Sequence, residues 1–311
     1  MKKFRSKEEA LTYYKKHTLV LTQTADKSSD MMFSAWLEYG LNADIIFKSY
    51  PKPIRAIRRL WADGYIPGAS IWYGDWKSSM NDYETVIVHA DERTRTVPGW
   101  IHKNYPNIRI IYWYWNPVND KSLPSLTNTS GIELWSFDSN DCKKYEMKQN
   151  IQYYYTVRNL TQIKPEYDLY FIGHDKGRRD EIQRVTQYFK SLGYTSRVDL
   201  VGDDDQLIPY KEVQSRIAKS RAILEINQKG QSGYTLRTLE SLFFNKKLIT
   251  TNEAIYSEEF YRPENVFVLN KDDDLKKFME TPVVDVTEYK KKHDIDMWFW
   301  NFIKDQCEIT A

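Results

Sequence analysis

Arg237 and Glu240 stand three residues apart in the stretch Gly230-Gln-Ser-Gly-Tyr-Thr-Leu-Arg-Thr-Leu-Glu240. Their surroundings suggest phosphate chemistry. The apolar strand Arg221-Ala-Ile-Leu-Glu-Ile226 comes first, then a glycine-containing loop through Gln231, Ser232 and Gly233, then an amphipathic helix. A helix beginning near Tyr234 would point its unpaired amides and positive dipole end out of that loop, a setting suited to a diphosphate. Arg237, in the first turn, would add a bidentate cationic contact, and Glu240, about one turn further on, would accept hydrogen bonds from a ribose. The bland alternative is a surface ion pair worth about 0.3 kcal/mol.

A second cationic cluster opens the preceding helix. Tyr167-Asp-Leu-Tyr-Phe-Ile172 reads as a strand, Gly173-His-Asp-Lys-Gly177 as its loop, and Arg178 as the start of a helix. Lys176 and Arg178 would then sit at a positive helix end, where the dipole disfavours a cation unless an anion lies nearby. The loop lacks the G-x-G-x-x-G spacing of a dinucleotide site. Candidate general bases follow strands of the N-terminal half. They are His89 and Asp91 (with Glu92) after Val86-Ile-Val88, Asp138 after Trp135-Ser-Phe137, and Asp26 and Asp30 after the first strand. Each could equally be a cap, a solvated loop residue or a satisfied structural histidine.

The elements that must position these groups alternate strand and helix through both halves. Thr18-Leu-Val-Leu-Thr22, Asp44–Phe47, Thr85–His89, Ile108–Trp115 and Glu133–Phe137 read as strands of the first half. Tyr167–Ile172, Thr195–Val201, Arg221–Ile226, Lys247–Thr251 and Asn265–Leu269 read as strands of the second. Such alternation implies parallel sheets covered on both faces, hence an α/β fold. A helix is expected over Ser29–Tyr39. The basic helix Pro53-Ile-Arg-Ala-Ile-Arg-Arg-Leu-Trp61 carries Ile54, Ile57 and Leu60 on one side, with Arg55, Arg58 and Arg59 read as a solvated face. The last helix, Asp294–Phe302, is apolar nearly all round and should be buried against the first domain. The expected domains are residues 1–155, 156–282 and a C-terminal segment 283–311 returning to the first.

The 311 residues carry 45 basic and 43 acidic side chains, so no global field argues for nucleic acid. Two cysteines, Cys142 and Cys307, make neither a disulfide framework nor a metal motif. The N-terminus reads as no signal peptide and no run approaches a membrane span, so a soluble cytoplasmic protein is expected.

Phe171-Ile-Gly-His-Asp-Lys-Gly-Arg178, Gln231-Ser-Gly-Tyr-Thr-Leu-Arg-Thr-Leu-Glu240 and Lys246-Lys-Leu-Ile-Thr-Thr-Asn252 together resemble the GT-B glycosyltransferases of bacterial exopolysaccharide, capsule and lipopolysaccharide assembly. The runs Tyr112-Trp-Tyr-Trp-Asn-Pro117 and Leu134-Trp-Ser-Phe-Asp138 add weaker likeness. The resemblance implies two facing Rossmann-like domains with a cleft between them, the acceptor held by the first and a nucleotide sugar by the second. It also implies that Gly173 and the loop to Arg178 approach the donor phosphates, and that Ile208 to Tyr210 border the base. Thr235 and Arg237, directly after the donor-site residues Ser232, Gly233 and Tyr234, would hold the diphosphate, and Glu240 the ribose. No metal and no tightly bound cofactor are implied. The donor is expected to be a UDP-sugar and the acceptor a saccharide or lipid-linked saccharide, with peripheral contact to the inner membrane face left open. Ser232 stands where many retaining members place a carboxylate, which leaves stereochemistry open. A non-catalytic binding scaffold and another nucleotide-sugar enzyme, an epimerase or phosphorylase, remain as alternatives. Arg237→Ala is expected to weaken donor binding and leave the fold intact.

Overall fold

The computed structural model describes residues 1–24, 32–155, 163–201, 208–227 and 235–310. The chain divides into two compact units, one of Met1–Gln152 with Asp296–Ala311 and one of Tyr153–Ile295.

The first unit contains β1 (Lys2–Phe4), α1 (Lys7–Lys16), β2 (Thr18–Thr22), α2 (Phe33–Tyr39), β3 (Asn42–Ile45), α3 (Lys52–Ala62), β4 (Thr85–His89), α4 (Val97–Asn104), β5 (Arg109–Tyr114), β6 (Ile132–Ser136), α5 (Ser139–Tyr145) and β7 (Lys148–Gln149). Its main sheet is parallel throughout, in the order β3-β2-β4-β5-β6-β7. All five residues of β2 are buried, as a central strand covered on both faces requires. Ser6 caps α1 by accepting from the Glu9 amide, while Glu9 reaches back to the Arg5 amide. One face of the sheet carries a core of Leu19, Leu21, Val86, Val88, Ile110 and Tyr112 with Tyr73, Trp76 and Met80 from the connection before β4.

The second unit contains β8 (Tyr167–His174), α6 (Arg179–Ser191), β9 (Ser196–Val201), α7 (Tyr210–Ala218), β10 (Ser220–Glu225), α8 (Leu236–Phe243), β11 (Lys247–Thr250), β12 (Val266–Val268), α9 (Leu275–Glu280) and α10 (Thr287–Lys292). Its sheet is also parallel, in the order β12-β11-β10-β8-β9. Ile182, Val185 and Phe189, one stripe of α6, pack on Leu169, Phe171, Ala222 and Leu224.

The chain then returns to the first unit as α11 (Ile295–Ile303) and β13 (Cys307–Ile309), which pairs in parallel with β1. Trp298, Phe299, Phe302 and Ile303 are buried, and the Phe302 ring meets Trp113 and Trp135 edge-on. Arg109 donates to the Phe302 carbonyl and Asn150 to that of Trp298. The return thus begins at Asp296 rather than near residue 283, and α10 belongs with the second unit.

Two local expectations change. The helix expected over 29–39 is described only as Phe33–Tyr39, since residues 25–31, with Asp26 and Asp30, lie outside the described residues. The basic helix α3 is turned the other way. Arg58 is 7% exposed, whereas Ile54, Ile57 and Leu60 face solvent at 37%, 55% and 46%. Among the described residues, no helix is long and apolar enough to cross a membrane.

Candidate functional site

In chain order the strands of the second sheet run 2-1-3-4-5, so the connections leave β8 and β10 in opposite directions across the sheet. An open parallel sheet leaves a crevice outside the carboxyl ends of two such strands, where neither connection covers it. Arg178 occupies that point. Its Nη2 donates to the His174 carbonyl at 2.6 Å and its Nη1 to the Ile226 carbonyl at 2.6 Å, joining the ends of β8 and β10. Nε reaches the Asp175 carbonyl at 3.4 Å. Three of the five guanidinium N–H bonds are engaged by backbone, and two remain.

Gly173 makes room for this arrangement. A Cβ there would lie 3.1 Å from Arg178 Nη2 and 3.4 Å from the Phe171 ring. The loop between them turns through Lys176 and Gly177, both at positive φ (44° and 76°), closed by the Arg178 amide on the Asp175 carbonyl. Lys176 is exposed at its tip, with no ion-pair partner among the described residues. Arg237 adds to the positive field, since its charge disfavours that of Arg178, which burial already disfavours.

Across the crevice, α8 starts two residues later than expected, with Thr235 as its N-cap. The amides of Thr235, Arg237 and Thr238 are occupied. Thr235 Oγ1 accepts from the Arg237 amide at 3.0 Å, and the Thr238 amide bonds the Thr235 carbonyl. The Thr235 amide and hydroxyl both donate to Glu225 Oε1, joined by the Thr238 hydroxyl, while the Thr250 hydroxyl donates to Oε2. Glu225, 1% exposed, therefore fastens α8 to the ends of β10 and β11. Among the described residues the helix terminus leaves the Leu236 amide for an anion, and Thr235 is turned to Glu225. In the sequence Glu225 is hidden inside the apolar strand Arg221–Ile226. A carboxylate inside an apolar strand, with threonines at 235, 238 and 250 at the ends of the neighbouring elements, is the signal the sequence offers. Ser232, Gly233 and Tyr234 lie outside the described residues.

Arg237 and Glu240 are paired, but not on a surface. Arg237 Nη1 stands 2.5 Å from Glu240 Oε2, and Glu240 is fully buried. Neither atom makes an aligned hydrogen bond, so the contact is ionic. Glu240 Oε1 accepts from the Tyr210 hydroxyl at 2.6 Å, and Tyr210 shares a 2.7 Å hydrogen bond with Tyr154. Gln214 donates to Tyr155 and Tyr154. Burial raises the Glu240 pKa against the pull of Arg237 and Tyr210. Burial, followed by the Glu240 charge, also keeps both phenols protonated. Tyr210, expected beside a base, thus serves a buried carboxylate, and Tyr154, Tyr155 and Gln214 are members the sequence did not reveal. Ile208 is half-buried just before α7.

The first sheet repeats the strand order, placing its switch between β2 and β4, where His89 and Asp91 lie. His89 is held edge-on by Trp36 at 4.7 Å and parallel to Trp115 at 6.3 Å. Its Nε2 is buried without a hydrogen-bond partner, and burial lowers its pKa to about 3, so the imidazole is neutral. Asp91 is exposed, and its Oδ1 accepts the Arg93 amide within a turn. Asp138 caps α5, accepting from the Asn140 and Asp141 amides. The structure gives Asp138 its structural reading.

Two doubly wound parallel α/β units define a protein of two Rossmann-like domains. No family model and no curated protein matches the chain. Among solved structures it is similar to spinosyn forosaminyltransferase SpnP, at 9% identity over 93% of this chain and 99% of that one, with a TM-score of 0.43. Alr3699/HepE of Anabaena, in complex with UDP, is 12% identical over 93% and 94%, with a TM-score of 0.43. Sucrose-phosphate synthase of Thermosynechococcus elongatus is 8% identical over 93% and 97%, with a TM-score of 0.44. The roles of individual residues rest on the geometry of this chain alone.

Proposed function

We propose that this protein is a GT-B glycosyltransferase. It would transfer a hexose-like sugar from a nucleoside diphosphate donor, with a UDP-sugar the first to test, to a surface-polysaccharide or lipid-linked saccharide in the cytoplasm. The observation that carries the reading is the Arg178 clamp at the switch point of the second sheet, with Arg237 and the exposed Lys176 beside it. Three cations around one crevice suit a leaving diphosphate, and their charge takes the part a metal would otherwise play. Arg178 and Lys176 supply N–H donors. Arg237 is held in place by Glu240, so the buried carboxylate is better supported as a positioning residue than as a ribose ligand. In the first unit, His89 offers a neutral ring nitrogen to an acceptor hydroxyl, and Asp91 offers the carboxylate for proton removal.

Isothermal titration with UDP, GDP, CMP, TDP and ADP tests the donor site. Micromolar binding of one diphosphate that fails in Arg178→Gln supports it, and indifference to all five sinks it. With that donor, release of nucleoside diphosphate should be unaffected by EDTA. A binding scaffold is the second reading, favoured by Asp138 and Asp91 lying in local backbone hydrogen bonds. Donor binding with no release of nucleotide to any saccharide would establish it.

Membrane contact, if made, would use the outward side of α3. Ile54, Ile57 and Leu60 are exposed there beside Lys52 and Arg59, a pattern that suits an anionic leaflet. Co-sedimentation with phosphatidylglycerol vesicles, lost in Ile57→Glu, checks it against phosphatidylcholine vesicles.

A further inference from the structure

The inner side of α3 presents a different problem. Arg58 lies over the Phe47 ring, 4.3 Å from its centroid, and donates one hydrogen bond, to the Lys48 carbonyl at 3.3 Å. Its Nε is buried with no partner among the described residues, and so is that of Arg55. The charges acting most on Arg58 come from Arg55, Arg93 and Arg59, all of the same sign. Arg93 itself pairs with its neighbour Glu92 at 3.1 Å. A buried guanidinium among like charges costs several kcal/mol unless something compensates it.

Aromatic rings border the same place. Trp72 packs against Tyr50 and Trp61, each with ring centroids 5.5 Å away, and all three are half-buried. The Lys48 amide donates to the Trp72 carbonyl, which fixes this rim to the segment that receives Arg58. Trp72 Nε1 is a third buried donor without an acceptor. Among the described residues the unmet groups on Arg55, Arg58 and Trp72 are all donors, set against one unmet acceptor, Asp63 Oδ1 at the C-terminal end of α3, so the missing partner is rich in acceptors and negatively charged. Aromatic faces beside cationic donors suit the C–H face of a sugar ring that carries such a group.

We infer that Arg55, Arg58 and Arg93, with Tyr50, Trp61 and Trp72, form a site for an anionic saccharide, a sugar bearing a carboxylate or a phosphate. Arg93 follows β4 and Phe47 follows β3, so the site lies at the carboxyl edge of the first sheet, the edge that carries His89. Its role as the acceptor site rests on the proposed transfer reaction. Its binding chemistry does not.

The test uses the full chain without nucleotide, with glucuronic acid and glucose 1-phosphate as probes and glucose and inorganic phosphate as controls. At millimolar concentration one or both charged sugars should raise the melting temperature, glucose should not, and phosphate should act more weakly than glucose 1-phosphate. The two charged probes separate a carboxylate from a phosphate ligand. Arg58→Met should fold with equal or greater stability, since it removes an uncompensated charge, and should weaken the active probe by about tenfold or more. Arg93→Gln, nearer the surface, should weaken it in the same direction. No response to either charged sugar, or a response retained in both variants, overturns the site. Loss of stability in Arg58→Met with no probe response would make Arg58 a structural cation. Binding of a charged sugar without binding of any nucleoside diphosphate would leave this inference standing and remove the transfer reading.

Discussion

Arg178 and Gly173 are made for one another. The guanidinium that ties the ends of β8 and β10 together has its Nη2 3.1 Å from where a Cβ at residue 173 would stand, tighter than an ordinary side-chain contact. The glycine is required here for close approach, not for its backbone angles. Gly173→Ala should displace Arg178 from the His174 carbonyl, costing about 1 kcal/mol of stability. It should also weaken nucleoside diphosphate binding by about tenfold. Titration calorimetry with Arg178→Gln as the reference variant checks this, and unchanged affinity in Gly173→Ala would separate the clamp from the ligand.

Arg237→Ala is expected to do more than weaken binding. It strips a fully buried carboxylate of its cation, and breaking such a pair costs about 3–5 kcal/mol. Glu240→Gln keeps the Tyr210 hydrogen bond and should cost less. Arg237→Met with Glu240→Leu should recover much of the stability lost in Arg237→Ala while leaving diphosphate binding weak. Urea melts of the four proteins provide the measurement, and a double variant no more stable than Arg237→Ala would show that the pair is not coupled.

Glu225→Ala should destabilise the second unit by about 2–4 kcal/mol. It removes four hydrogen bonds and leaves three threonine hydroxyls buried or half-buried without their acceptor. Glu225→Gln should retain part of this network. Hydrogen exchange should show the loss first in α8, whose cap depends on Thr235, and protection unchanged there would refute the assignment.

His89 predicts an acid-sensitive fold. Its folded pKa, about 3, lies below the ordinary value of 6.5, so the unfolded chain takes up the proton first. Its contribution is therefore intact above pH 6.5 and is lost as pH falls towards 3, by up to about 1.4 kcal/mol per pH unit. Glu133, lowered to about 2 chiefly by Arg109 against the effect of burial, contributes above pH 4.5 and loses that contribution only below it. Burial raises the pKa of Glu240 and Glu258 as well, so between pH 6.5 and 4.5 it is the difference between wild type and His89→Gln that reports on His89. The denaturation midpoint of wild type should fall relative to that of His89→Gln as pH drops across that interval, and a difference that does not change with pH would overturn the assignment.

Local sequence determined the alternation of strand and helix, the parallel sheets and the stripe of α6, because residue periodicity and turn chemistry act within about a dozen neighbours. It also brought Arg178, Arg237 and Tyr210 into view as unusual side chains at strand and helix ends. Tertiary structure decided their partners. Arg237 turns inward to Glu240, Tyr210 reaches that carboxylate from another helix, and Thr235 answers to Glu225 across the strand ends. The orientation of α3 was also beyond local pattern. An amphipathic helix shows which residues share a side, but only the surface it meets, here Phe47 and Lys48, determines which side is buried. Burial and pairing depend on residues far apart in the chain, so a buried ion pair and a solvated one have the same sequence spacing until the fold brings their surroundings together.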